Sequence, residues 1–209
     1  MPCWKMKAEK IGNLQRALNS VFPEEDSEHL ATLLWKALEE SEIAYRQVEA
    51  SEEKREDLIL FAYTVRLLVP TKGGRTSAWE DKPLTLTPDE RYRMPAVIAK
   101  LVQIASETGC WKPREAILAC LREKSDERAL DKLKLFQGLM KRARNGRVTP
   151  HTFRQVIAEM GLEVDIDHAI AEFKALGMIS PSLHRALSSG VIEYEINPSL
   201  HEREIDSGG

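Results

Sequence analysis

Closely spaced Gly and Pro residues, set between short apolar-periodic segments, limit what this 209-residue chain can fold into. In its last third the interruptions are Asn145-Gly146, Thr149-Pro150, Gly161, Gly177, Pro181 and Pro198. Gly and Asn favour left-handed helix ends, and Pro starts a helix or breaks one. The spacing predicts a helix behind Ser125-Asp126-Glu127 that buries Leu130, Leu133, Phe136, Met140 and Ala143 and is stopped by Asn145-Gly146. Arg147-Val148 is too short for a helix. Thr149-Pro150 opens a second helix to residue 160, with Phe153, Val156 and Ile157 inward. A third spans 165–176, with Ile166, Ala169, Ile170 and Phe173 on one face. Residues 178–179 are extended, 181–190 form a loop, and 191–196 alternate as a strand.

Upstream, helices are expected over 5–20, from a Ser27 cap towards Val48, and over 54–67. Leu68-Val69 is β-compatible, 71–81 is a polar loop holding Gly73-Gly74, and Leu84-Thr85-Leu86 alternates, which together suggest a β-hairpin. Thr87-Pro88-Asp89-Glu90 carries a helix-start signature, but with Pro95 close behind it a short turn is expected there. Helices over 96–107, closed by Gly109, and over 114–124, behind Pro113, follow. A break between units is expected within 81–89. The division is then 1–87, a helical domain ending in a hairpin, 88–200, a helical link with the domain just described, and a flexible tail over 201–209.

Composition excludes several classes. With 43% hydrophobic and 30% charged residues the chain has the make-up of a soluble globular protein. No apolar run approaches a membrane span, and no apolar core follows the N-terminal lysines as a signal peptide requires. Cys3, Cys110 and Cys120 form no even framework and no CxxC pair, which fits a reducing cytoplasm; Cys110 and Cys120 read as buried small hydrophobes. The formal charge of −3 conceals an asymmetry. Residues 24–57 hold twelve acids against four bases, a net −8, while 132–158 hold seven bases and no acid. Such a split is a prior for a charged partner or for self-association.

The order helix, short strand, helix, tight turn, helix, hairpin resembles the winged-helix superfamily. The residues that carry the resemblance are Gly146-Arg147-Val148-Thr149 and the run from Ala169 to Leu176-Gly177-Met178-Ile179, within about 126–198. It implies a mainly α fold with a C-terminal winged-helix domain, three helices plus a small β-hairpin, beside a helical N-terminal domain. A weaker echo at 58–69, Pro70 and 84–88 leaves tandem winged helices open. Such domains commonly set their third helix in the DNA major groove while wing and helix N-termini contact phosphates. Here the third helix begins with Asp165 and Asp167, exposes Glu172 and has Lys174 as its one base, which repels phosphate.

The bases lie elsewhere. Lys134, Lys141 and Arg144 share a helix face by spacing, Arg142 adjoins them, and Arg147 and Arg154 extend the surface. His184 and Arg185 of the wing and Lys72 and Arg75 of the upstream tip, beside Trp79, complete the candidate nucleic-acid contacts. The expected role is non-enzymatic: a DNA-associated, transcription-regulatory protein. The alternative is a protein–protein adaptor whose basic block meets an acidic partner or a second copy, a homodimer included. Asp165, His168 and Glu172 share a face, but the helix dipole explains the acids better than a metal does. Calcium is rejected at 141–149 because bases stand where carboxylates are needed. With no GxxxxGK[ST], GxGxxG, HExxH or GxSxG, no cofactor or catalytic residue is expected.

Overall fold

A computed structural model describes residues 3–73, 78–124, 128–182 and 192–201. The described chain is mainly helical. Its first half holds α1 (Cys3–Val21), α2 (Ser27–Glu40), β1 (Ile43–Ala44), α3 (Glu52–Thr64), β2 (Val69–Pro70) and β3 (Arg91–Arg93). A linking pair follows, α4 (Ala96–Thr108) and α5 (Pro113–Glu123). The second half holds α6 (Ala129–Arg142), β4 (Arg147–Val148), α7 (Pro150–Met160), α8 (Ile166–Leu176), β5 (Ile179–Pro181) and β6 (Tyr194–Ile196).

Each half carries a three-stranded antiparallel sheet, and both sheets have the same topology. The orders are β1-β3-β2 and β4-β6-β5, so the last strand lies in the middle each time. Ile43 faces Tyr92 across one sheet, and Val148 faces Tyr194 across the other.

Helix ends follow local chemistry. Gly109, Gly161 and Gly177 close α4, α7 and α8 in left-handed conformations that a Cβ would strain. Thr149 caps α7: its Oγ accepts from the Thr152 N–H, the Thr152 Oγ accepts from the Thr149 N–H, and Pro150 follows at the first helical position.

Several expectations are corrected. Asp26, not Ser27, caps α2, its Oδ1 accepting from the His29 N–H. The helix stops at Glu40, far short of Val48, because Ser41 turns left-handed and Ile43-Ala44 pair with β3. The strand expected at 84–86 is absent, while the short turn expected at 87–90 forms, with the Glu90 N–H donating to the Thr87 carbonyl at 2.9 Å. Pro83 and Pro88 remove ladder donors there, and the strand forms at Arg91-Tyr92-Arg93, with Tyr92 buried and both arginines exposed. The break expected within 81–89 therefore falls inside the connection from β2 to β3. Asn145-Gly146 does not stop α6, which ends at Arg142. Both residues have positive φ and sit at the centre of a tight turn in which Arg144 and Arg147 exchange backbone hydrogen bonds. That is the geometry Asn-Gly favours in two-residue hairpins. Leu130, expected inside, is 52% exposed, and Cys110 is exposed while Cys120 is buried.

One contiguous core runs through both halves. The N-terminal helix α1 packs on α2 and α4, α4 on α5, α5 on α6, and α6 on α7. Phe136, Phe153, Phe173 and Tyr194 meet edge-on or tilted with centroids 5.5–6.3 Å apart, which holds α6, α7 and α8 around β6. The two halves also join through directed bonds. The Trp79 N–H donates to Ser180 Oγ at 2.8 Å, and Ser182 Oγ donates to Glu80 at 2.9 Å. Asn197 Nδ2 donates to the Arg66 carbonyl, and Ser199 Oγ donates to the Val65 carbonyl. The Arg66 guanidinium lies over the Tyr63 and Trp79 rings and pairs with Glu195 at 3.5 Å.

Candidate functional site

The α6–β4–α7 corner assembles a basic cleft from three consecutive pieces of local structure. The end of α6 supplies Arg142, the tight turn supplies Arg144 and Arg147, and the start of α7 supplies the helix N-terminus. These surround a cleft of about 710 Å³. Its remaining wall offers neutral hydrogen-bonding groups from Asn145, Thr149, Thr152 and Gln155, together with His151. Glu193 is the one acid in the lining.

The arginines differ in their freedom. Arg142 is tied down, pairing with Glu159 of α7 and donating to the Gly138 carbonyl. Arg144 is exposed and Arg147 is half-buried, and neither meets an acid within ion-pair distance among the described residues. Their positions are set by backbone geometry: the turn fixes Arg144, and the pairing of Arg147 with Glu195 in the β4–β6 register fixes the strand. The positive end of the α7 dipole adds to the field. The arrangement suits an anion, because guanidinium groups and helix N-termini both favour phosphate or carboxylate oxygens.

The other expected residues are distributed. Lys134 and Lys141 line a neighbouring groove between α6 and α7 with Met140 and Met160, and Lys134 is paired with Asp131 at 3.1 Å. Arg144 lies past the end of α6, so it does not share a helix face with these lysines. Arg154 is exposed on α7 outside the cleft lining. Lys72 is exposed at the end of β2, in the first half. Arg75, His184 and Arg185 lie outside the described residues. Trp79 is buried at the joint between the halves, which corrects the idea of an upstream tip offering an aromatic to DNA.

A further correction concerns α8. Glu172 is not exposed: it forms an ion pair at 2.5 Å with Lys132 of α6, and both side chains are almost fully buried. This removes Lys132 from the basic surface as well. Asp165 caps α8 through the His168 N–H at 2.8 Å, so the Asp165, His168 and Glu172 face has structural work for two of its three members. Among the described residues no group of three or more His, Cys, Asp or Glu side chains is placed to hold a metal. Sequence reasoning missed His151, Thr152 and Gln155 as cleft residues. The Thr149-Pro150 signature was legible only as a helix start, although a helix start is also an anion-binding feature.

The described residues thus define a mainly α protein with two small sheets of matching order and an arginine-lined cleft. A protein-family model of unknown function matches residues 12–204, and the chain belongs to that family. The match takes in both sheets and the cleft. No curated protein and no solved structure matches the chain.

Proposed function

We propose that this chain is a non-enzymatic, tandem winged-helix protein that associates with duplex DNA through its phosphate backbone. The observation that carries the reading is the cleft, in which Arg144 and Arg147 stand beside the N-terminus of α7 without an acidic partner among the described residues. The matching sheet orders support the tandem arrangement: helix, strand, helix and two strands recur in the same order, and the place of α7 is taken in the first half by a single helical turn at Tyr45–Gln47. In this reading 27–93 is the first unit, 129–196 the second, and α4 and α5 link them. The acidic start of α8 argues against groove reading by that helix, so the contacts are to phosphates and position the protein without specifying sequence. Arg142 lines the cleft, Arg154 and Lys141 stand outside its lining and Lys134 further out, and the role we assign is transcription-regulatory. The site of action is cytoplasmic.

Fluorescence anisotropy of a labelled duplex of about 30 base pairs, titrated at about 50 and 200 mM salt, tests the proposal. Binding should weaken steeply with salt. Replacing Arg144, Arg147 and Arg154 with Ala should lower affinity at least tenfold and flatten the log–log salt slope by about 2–3, since each phosphate contact contributes close to one unit. Absence of binding at the lower salt would overturn it. A second reading, a protein-interaction adaptor, is favoured by one observation: α3, the helix preceding the first hairpin, carries Glu52, Glu53, Glu56 and Asp57 against Lys54 and Arg55.

A further inference from the structure

We propose that the arginine cleft of one copy receives the acidic face of α3 from a second copy, so that the protein associates head to tail. The inference does not depend on the DNA reading, although it uses the same cleft. Glu53, Glu56, Asp57, Leu60 and Thr64 are all exposed on α3 at spacings of three, four and seven residues, which puts them on one helix face. Leu60 is 51% exposed at the middle of that face. No described cation pairs with Glu53, Glu56 or Asp57, and none of the described acids pairs with Arg144, Arg147 or Arg154. The chain therefore leaves two strong, opposite surfaces uncompensated by each other, one in each half.

Complementarity of charge makes a second copy the matching partner. The acids lie on a regular helix, so three carboxylates about one helical turn apart meet arginines spread over a four-residue turn and the α7 N-terminus. The formal charge of −3 imposes little overall repulsion between copies. Because the two surfaces are different patches of one chain, the interface is heterologous: each copy has a donor end and an acceptor end, and the contact builds rings or open chains rather than a two-fold dimer. Duplex DNA in the cleft would displace the neighbouring copy.

Sedimentation velocity on the full chain, over a concentration series at about 50 and 500 mM NaCl, reads the association directly. The wild type should sediment faster with rising concentration at the lower salt and as a monomer at the higher. Two variants, R144E/R147E and E53K/D57K, should each sediment as monomers at both salts. Their equimolar mixture retains one native cleft and one native acidic face per pair. It should associate again at the lower salt, from a 1:1 dimer upwards, because the native contact and the doubly reversed contact are both oppositely charged. A wild type that stays monomeric at low salt, variants that still associate, or a mixture that fails to dimerise would overturn the proposal. Matching far-UV circular dichroism and urea midpoints keep misfolding out of the comparison. The DNA titration separates the two readings, since R144E/R147E should lose duplex binding while E53K/D57K should keep it.

Discussion

Lys132 and Glu172 show why a residue's charge does not by itself place it on a surface. Both belong to stretches whose pattern reads as solvated, yet their side chains are 4% and 8% exposed and meet at 2.5 Å between α6 and α8. A charge stranded in such a place is expensive, whereas an apolar pair of similar volume need not be. Lys132→Met should therefore cost about 3–5 kcal/mol of unfolding free energy, and the double replacement with Glu172→Leu should recover most of that loss. Urea denaturation of the four proteins in the cycle checks it, and equal, additive losses would refute a coupled pair. Asp26 gives the opposite case, an exposed acid with defined work. Its carboxylate caps α2 and is held down to a pKa of about 2, chiefly by its side-chain bond to His29, with Lys54 assisting. A carboxyl lowered in the folded state stabilises above its unfolded pKa of about 3.9, and the benefit fades as pH falls towards 2. With its side chain 39% exposed, solvent screens the ion pairs, so the cap itself should dominate at about 1 kcal/mol. Asp26→Ala should destabilise by that amount at pH 7, and the difference from wild type should shrink between about pH 4 and pH 2. A difference independent of pH would show that the carboxylate charge contributes nothing.

At the scale of elements, helices bounded by Gly, Pro or a side-chain cap were legible in the sequence, and sheet pairing was not. The ends of α4, α7 and α8 fall where Gly109, Gly161 and Gly177 mark them, because the signal and its cause are both local. The end of α2 and the position of β3 depend on a pairing between residues 43–44 and 91–92, and no local signal specifies a partner that distant. Cleft residues were legible in part for the same reason. The bases of the α6–α7 corner stand out by charge, while Thr152 and Gln155 join them only through the turn geometry. Crossing distance between helices was equally hidden. Gly138 of α6 sits where an added Cβ would come within 2.5 Å of Val156 Cγ1 on α7, whereas Gly12 of α1 has nothing within 4 Å. Ala has the better helix propensity by about 1 kcal/mol, so Gly12→Ala should stabilise by up to that amount. Gly138→Ala should instead destabilise by about 1–3 kcal/mol, because α6 and α7 must move apart. Thermal or urea unfolding of the two variants separates the cases by sign. A stabilised Gly138→Ala would mean that the crossing can yield, and the cleft at the end of both helices with it.

For the molecule as a whole, the question is whether two halves with matching sheets unfold as two units or one. Repeated units joined by a linker often unfold separately, and 209 residues is beyond the usual range of two-state behaviour. The contacts argue for one step. The core is contiguous from Leu14 of α1 to Leu200, and α4 and α5 bridge the halves rather than spacing them. At the joint, hydrogen bonds reach the backbone of the opposite half, at the carbonyls of Val65 and Arg66 and at the N–H of Trp79. Gly177 lies so close to Pro95 that a Cβ would stand 2.4 Å from the proline Cβ, a fit that leaves no slack between α8 and the start of α4. Arg66 is the most committed residue there, held at a φ of 59° that costs a non-glycine residue about 1–2 kcal/mol. Its guanidinium recovers that cost through Glu195 and the two rings. Wild-type protein should therefore show one urea transition with coincident midpoints by far-UV circular dichroism and by tryptophan fluorescence. The fluorescence sums four tryptophans, among them Trp35 in the first half, Trp79 at the joint and Trp111, whose Nε1 donates to the Ser199 carbonyl. Arg66→Ala keeps the strained backbone but removes the contacts, so it should cost about 1–3 kcal/mol. Separate transitions in the wild type would refute the single unit. Separation in Arg66→Ala alone would identify this side chain as what couples the halves, and with them the acidic face and the basic cleft.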